Sequence, residues 1–204
     1  MSTTSSVRRL ARIPVLVIGL GLLVAGCGIN NIPSYEESAK ANWSQVLNQY
    51  QRRADLIPNL VETVKGYAAQ ERQVLEEVTN ARARATQMQV QIPPDILNNP
   101  EAFKRFQDAQ AQLTGALGRL LAVSERYPDL KSNQNFLALQ SQLEGTENRI
   151  AVARRDYIEA VRQYNTELRT FPGVIWASTL YRGNKPMETF TVAEDVTRPP
   201  QVKF

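Results

Sequence analysis

The chain has 204 residues, of which 43% are hydrophobic, and its 24 basic residues outnumber its 20 acidic residues to give a formal net charge of +4. It contains no histidine and a single cysteine. This composition excludes Ser-His-Asp and Cys-His catalytic arrays, histidine-ligated zinc sites and the Glu-x-x-His helices of di-iron bundles. It also excludes an intrachain disulfide, so the fold must be stabilised by packing. We expect no cofactor and no metal.

Residues 1–26 have the layout of a bacterial signal peptide. Arg8, Arg9 and Arg12 precede an uncharged apolar run from Ile13 to Ala25. The run is shorter than the ~20 apolar residues that a helix needs to cross a bilayer. It therefore indicates an export signal that is later removed.

The end of this run, Leu23-Val24-Ala25-Gly26-Cys27, resembles the lipobox of bacterial lipoproteins. The resemblance implies that the thiol of Cys27 is acylated and that the chain is cut in front of it, and several acyl chains would make a stable membrane anchor. The alternative is an uncleaved signal anchor in which Cys27 is simply buried. Gly28 stands where an Asp would favour the inner membrane, so the resemblance implies the outer membrane, facing the periplasm, in a bacterium with two membranes.

The charge of the mature chain argues against nucleic-acid binding. Residues 1–26 carry three arginines and no acid, so their removal leaves 21 basic and 20 acidic residues. A nearly neutral chain lacks the cationic stripe that phosphate backbones require. We expect no nucleic-acid partner, and one folded domain.

A short tether, residues 27–33, is predicted to lead into a long helix that begins at Ser34, where Ser34 and Glu37 have the spacing of a capping box. The predicted helix continues to Ala85, with a kink at Pro58. Its stripe recurs every three or four residues, as in helices packed at shallow angles. The stripe residues are Trp43, Val46, Tyr50, Arg53, Ile57, Leu60, Val64, Tyr67, Glu71, Val74, Val78, Ala81 and Ala85.

Two more long helices are predicted after a loop at residues 89–99. Asn99 followed by Pro100 is typical of a helix start, and Tyr127-Pro128-Asp129 ends that helix. The last long helix begins near Ser132, and the short connection makes the two antiparallel. The stripes are Phe103, Phe106, Gln110, Leu113, Leu117, Leu120, Ser124 and Tyr127, then Phe136, Leu139, Leu143, Thr146, Ile150, Ala153, Tyr157, Val161, Tyr164, Leu168 and Phe171.

The pattern as a whole predicts an all-α fold, an elongated antiparallel bundle of three to four long helices within residues 34–181. A short helix at residues 174–181 would lie across the end of the bundle. Residues 182–204, rich in Pro and Thr, are predicted to be an irregular tail with a brief extended run at residues 189–192.

Three segments resemble signature segments of the LemA family of bacterial membrane-anchored helical proteins. They are Gln51–Val61 (QRRADLIPNLV), Glu125–Leu130 (ERYPDL) and Glu147–Arg155 (ENRIAVARR). The resemblance extends from about Tyr35 to Phe204. It implies an antiparallel helical bundle outside the cytoplasmic membrane, and it implies no reaction. This chain departs from many family members in having Tyr157-Ile158 where they have Tyr-Asn, and a lipobox where they keep a transmembrane anchor.

Two charged residues interrupt the first stripe. Arg53 and Glu71 would lie about 27 Å apart on one helix, too far to pair with each other. Each would then need a partner on another helix, and the candidates are Glu125, Glu144, Glu147 and Arg154. We predict a buried or half-buried network of these six residues that fixes the register of the helices. The alternative is that the helix rotates at Pro58 and both side chains reach water.

The most economical functional hypothesis is a non-enzymatic scaffold or adaptor, anchored by lipid and bound to an unidentified envelope protein. A first alternative is a cell-wall hydrolase that uses Glu144 and Glu147, one helical turn apart. A second is a structural protein that self-assembles by pairing of exposed stripes between copies, because a heptad pattern does not distinguish intrachain from interchain packing.

Overall fold

The computed structural model describes residues 28–190, which form an all-α fold, as predicted. Residues 1–27, including the predicted signal peptide and Cys27, and residues 191–204 of the predicted tail lie outside the described residues. The elements are α1 (Asn31–Tyr67), α2 (Arg72–Val90), a 3-10 turn (Ile96–Asn98), α3 (Pro100–Ser124), α4 (Pro128–Lys131), α5 (Gln134–Glu167) and α6 (Gly173–Thr179). Within residues 28–190, no helix combines the length and hydrophobicity that crossing a bilayer requires.

Helix α1 is the central element of the bundle. It packs along α5 over most of its length and also packs on α2, while α2 packs on α3. The α1–α5 pair is antiparallel: Asn31 bonds to Glu167 at one end, and Arg53 pairs with Glu147 further along. The 37 residues of α1 make a rod of about 55 Å.

The predicted stripes are largely buried within the chain. On α1 they include Trp43, Val46, Tyr50, Arg53, Ile57, Leu60 and Val64. On α3 and α5 the buried residues follow the predicted spacing from Phe103 to Ser124 and from Phe136 to Tyr164. Burying these side chains removes apolar area from water, the main favourable term in folding. Intrachain packing therefore accounts for the heptad pattern.

The first long helix is shorter than predicted. It ends at Tyr67, and residues 68–71 reverse the chain, so that α2 returns antiparallel along α1. Gln89 Nε2 donates to the carbonyl of Leu47 at 2.9 Å, which shows how far back α2 reaches. Two signals for a helix end were present, Lys65 and Gly66. The spacing of three and four residues between apolar positions nevertheless continues past Gly66, because α1 and α2 each have an apolar face of their own.

The start of α1 also differs from the prediction. The helix begins at Asn31, and Ser34 lies inside the first turns with its amide bonded to the carbonyl of Asn30 at 3.1 Å. Pro33 is tolerated in the first turn because the amide it lacks would have no intrahelical partner there. Burial of Ile32 in the core favours the early start. The predicted tether is shortened accordingly, and the predicted capping box is not formed.

The C-terminal elements agree with the prediction in part. The short helix α6 lies within one or two residues of its predicted bounds. Phe171, predicted to be in the core, is 77% exposed, so this assignment was wrong. Residues 182–190 contain no helix or strand, as predicted for an irregular tail, and half of the predicted extended run at residues 189–192 lies outside the described residues.

Pro58 lies inside α1 and removes the amide that would bond to the carbonyl of Ala54. Arg82 of α2 replaces it: its Nε donates to the Ala54 oxygen at 2.7 Å. Since Ala54 is buried, an unpaired oxygen there would be costly. Arg82 of α2 therefore compensates for the hydrogen bond that Pro58 removes from α1.

We predict that Arg82→Ala lowers the free energy of unfolding by about 1–3 kcal/mol, because the Ala54 carbonyl loses its partner. In a Pro58→Ala background the restored amide occupies that carbonyl, so the loss from Arg82→Ala should shrink. Urea denaturation of the two single variants and the double variant measures this coupling. The control is Arg84→Ala, because the Arg84 side chain bonds to Gln112 at the exposed surface. This variant should change the free energy of unfolding by less than about 0.5 kcal/mol. Equal losses from Arg82→Ala in both backgrounds would contradict this pairing.

Candidate functional site

A groove of about 970 Å³ runs between α3 and α5, with α1 as its floor. It exists because α3 packs on α2 and α5 packs on α1, while α3 and α5 are not among the helix pairs in extensive contact. Residues 188–190 close one end. The polar and aromatic groove residues are Tyr50, Arg53, Phe103, Lys104, Gln107, Asp108, Gln110, Thr114, Glu147, Arg154, Glu188, Thr189 and Phe190.

The guanidinium of Arg53 lies on the floor of the groove and is 1% exposed. Its Nη1 donates to Thr114 Oγ1 at 2.8 Å and to Glu147 Oε1 at 3.1 Å. Its Nη2 donates to Gln110 Oε1 at 2.6 Å. The group therefore joins α1 to α3 on one wall and to α5 on the other, using the planar fork of donors that distinguishes arginine from lysine.

The charge of Arg53 is only partly compensated. Its single carboxylate partner, Glu147, has a side chain that is 38% exposed and faces the groove. The Nε of Arg53 has no hydrogen-bond partner among the described residues. The ring of Tyr50, 5.0 Å from the guanidinium carbon, provides a further contact. Because burying such a group costs desolvation energy, it adds little net stability, and its role in fixing the helix register stays a prediction.

The six residues predicted to form one network are divided in the structure. Arg53 and Glu147 meet, and Arg154 lies in the same groove. Glu71 does not join them, because it lies in the chain reversal of residues 68–71, at the far end of the bundle from the groove. There Glu71 accepts a hydrogen bond from Tyr127 at 2.9 Å and pairs with Arg126 at 3.2 Å.

The other two glutamates of the predicted network also lie outside the groove. Glu125 pairs with Lys131 at the surface, and Glu144 accepts a hydrogen bond from Gln140 at 3.0 Å. Glu144 is exposed, whereas Glu147 is held by Arg53. The two carboxylates proposed for a hydrolase therefore do not face one cavity. Within residues 28–190 no group of three or more acidic residues is placed to hold a metal ion.

Residues 184–190 lie across the bundle, and side chains of the bundle hold them through hydrogen bonds to their main chain. The sequence did not reveal this feature. Asn165 donates to the carbonyl of Met187 and accepts from its amide, at 2.9 and 2.8 Å. The hydroxyl of Tyr157 donates to the carbonyl of Glu188 at 2.8 Å, and burial raises the pKa of Tyr157, which keeps it protonated. We call residues 184–190 the clamped segment.

The side chains of the clamped segment complete the aromatic core. The ring of Phe190 lies 5.2 Å from that of Phe103 and 5.7 Å from that of Tyr157. On its other side the guanidinium of Arg154 lies 4.4 Å from the Phe190 centroid. Met187 and Phe190, the two buried apolar residues of the clamped segment, were the available signal for this packing.

We predict that Arg53 and Glu147 are energetically coupled. Glu147→Leu should lower the free energy of unfolding by about 1–3 kcal/mol, because it leaves Arg53 without its carboxylate partner. The loss is smaller than for a fully buried pair because Glu147 is partly solvated. Arg53→Met together with Glu147→Leu should cost less than the sum of the two, by about 0.5–3 kcal/mol. Thermal melts of both singles and the double measure this. Additive losses would show that the pair does not interact, and Glu144→Leu on the same helix is the control.

We predict that Asn165→Ala releases the clamped segment while leaving the bundle folded. The amide of Met187 loses its acceptor and should exchange with deuterium faster, together with that of Glu188, which bonds to the carbonyl of Leu97. Hydrogen exchange followed by mass spectrometry reports both. Asn148→Ala, at an exposed position of α5, should leave these amides protected. Unchanged protection in Asn165→Ala would contradict the clamp.

Comparison with known proteins agrees with the architecture and with the signature segments. Residues 42–204 match the LemA family. Two curated relatives, magnetosome proteins MamQ 2 and MamQ 1 of Paramagnetospirillum magneticum, are each 28% identical over 187 residues, covering 81% of this chain and 69% of theirs. The magnetosome protein MamQ of Magnetospirillum gryphiswaldense is 26% identical over 189 residues, covering 82% of this chain and 70% of its own. With its long antiparallel helices and a match over most of its length, the chain belongs to the LemA family.

Proposed function

We propose that this protein is a lipid-anchored adaptor of the cell envelope that holds an extended segment of another envelope protein in the groove between α3 and α5. Membership of the LemA family indicates a membrane-associated envelope protein. To this we add a lipid anchor as the mode of attachment, the groove as the binding surface and a role that is not enzymatic.

The attachment rests on the lipobox sequence that ends at Cys27. Acylation of this residue, with the chain cut in front of it, would leave residues 28–190 outside the membrane as a helical rod. Gly28 at the next position favours the outer membrane, facing the periplasm, in a host with two membranes.

The observation that carries the adaptor role is the clamped segment. Its main chain is bound by side chains of the bundle, including Asn98, which donates to the carbonyls of Lys185 and Pro186 at 3.0 Å each. Hydrogen bonds to the main chain of a bound segment are a recurring source of affinity in peptide recognition. The groove is also lined by Lys104, Ala111 and Glu147, and no described residue of the clamped segment bonds to these three. We call this the open part of the groove.

Arg154 gives the open part of the groove a preference for acidic partners. Its guanidinium lies over Phe190 and makes no ion pair within residues 28–190. Lys104, by contrast, is paired with Asp108 at 3.3 Å. A carboxylate on a bound segment could therefore form a charge-assisted hydrogen bond to Arg154. Cation-π packing on Phe190 would hold the guanidinium in place for it.

The anchor is tested by Cys27→Ser. We expect this variant to lose incorporation of a fatty-acid analogue and to accumulate as uncleaved precursor or as soluble material. Metabolic labelling and membrane fractionation measure both. A cleaved N-terminus with unchanged membrane retention would contradict lipidation at Cys27.

The adaptor role is tested by site-specific photocrosslinking in living cells of the natural host. A crosslinking residue at Ala111, in the wall of the groove, should give a discrete protein adduct. The same residue at Ala122, exposed on α3 but outside the groove, is the matched control and should not. Arg154→Gln should weaken the Ala111 adduct while the helix content of the protein stays unchanged.

Three outcomes would count against the adaptor. Equal adducts at Ala111 and Ala122 would indicate collisional labelling, and no adduct at Ala111 would mean that the groove holds no protein. An adduct of twice the mass of the chain would instead favour self-assembly.

A further inference from the structure

Three large apolar side chains form an exposed surface at one end of the bundle, at the start of α6. Phe171, Val174 and Ile175 lie within a five-residue stretch and are 77%, 41% and 45% exposed. We call these three residues the end patch. Leu180, 61% exposed, follows α6 one turn after Trp176, and the other five large exposed hydrophobic residues in the described part of the chain lie scattered over α1, α2 and α5. Clustered exposure of this kind marks a contact surface, whereas isolated apolar residues do not.

The end patch is held in place by close packing behind it. Gly173 is buried, and a side-chain carbon at that position would lie 2.2 Å from the carbonyl oxygen of Glu167, so only glycine allows α6 to approach the end of α5 this closely. Trp176 and Ala177 pack against the core from the inner side of α6. Helix α6 therefore has apolar residues on its inner face and on its outer face.

The surroundings of the end patch are basic. Residues 168–187 include Arg169, Arg182 and Lys185, all exposed, and contain no acidic residue. The acids that approach from neighbouring elements are already engaged by other side chains. Glu167 accepts a hydrogen bond from Asn31 at 3.2 Å. Glu36 pairs with Lys40 at 2.7 Å, and Glu37 also contacts Lys40.

The start of the described chain lies beside this surface. Gly28 adopts a φ of +99°, and a side-chain carbon there would lie 3.5 Å from Pro172 Cγ. Gly28 directly follows Cys27 in sequence. An acyl group on Cys27 would therefore be attached one residue before Gly28, which lies beside Pro172 at the start of α6.

We propose that the end patch rests on the lipid surface, with its apolar side chains in the interfacial region and Arg169, Arg182 and Lys185 against anionic headgroups. An apolar surface with a basic rim has the composition of membrane-interface segments. This inference rests on the membrane attachment proposed above. It adds an orientation: α1 runs away from the membrane, and Arg53, 22 residues beyond Asn31, lies about 33 Å along α1 from its membrane-proximal end.

The test uses the full-length protein in vesicles that contain anionic lipid, with a single cysteine introduced for a fluorescent label. Ile175→Cys places the label in the end patch. Leu137→Cys, at 47% exposure near the opposite end of the rod, and Val152→Cys, at 47% exposure midway, are the matched controls. The chain without an added cysteine gives the background from Cys27.

We expect a lipid-phase quencher to remove most of the Ile175→Cys fluorescence and to leave the two controls nearly unchanged, while aqueous iodide gives the reverse. Equal quenching of all three positions by iodide, in protein that still sediments with the vesicles, would overturn the orientation and leave the anchor intact. Protein that does not sediment with vesicles would overturn the anchor itself. Protection of Ile175→Cys from both quenchers that disappears on dilution would show that a second copy covers the patch, and would also overturn the proposal.

Discussion

One buried guanidinium links the three longest helices of this bundle. Arg53 on α1 bonds to Gln110 and Thr114 of α3 and to Glu147 of α5. Hydrophobic burial drives the packing of α1 on α5, but apolar stripes alone tolerate shifts along a helix pair. A fork of donors with partners on two helices does not tolerate such shifts, since each lost partner leaves buried polar atoms unpaired.

The groove and the clamped segment follow from that arrangement. A space remains between α3 and α5, and the chain uses one end of it for its own residues 184–190. The main chain of that segment is satisfied by Asn98, Tyr157 and Asn165 rather than by a neighbouring strand. A protein that binds one of its own segments in this way already has the means to bind another, and the part of the groove that no described residue fills, beside Arg154, is where it would do so.

The sequence was informative about local periodicity and less so about chain reversal. The buried positions of α1 up to Val64, the Asn99 cap of α3 and the buried face of α5 all followed from three-four spacing and cap chemistry. The turn at residues 68–71 did not, because two antiparallel helices with apolar faces give the same spacing as one long helix. Glu71 lies in that turn and pairs with Arg126, which was not among the predicted partners, whereas the pairing of Arg53 with Glu147 depended only on α1 and α5. The clamped segment was not predictable because its contacts are long-range and involve its main chain, which has no side-chain pattern.

The role of Arg53 is tested most directly by the distance across the groove. Nitroxide labels at Ala111 of α3 and Ala151 of α5, in a Cys27→Ser background, report that distance by double electron-electron resonance. We expect one narrow distribution when Arg53 is present, and a broader distribution shifted to longer distances in Arg53→Met, with helix content unchanged. An identical narrow distribution in Arg53→Met would show that the groove is maintained without the guanidinium, and would contradict this role.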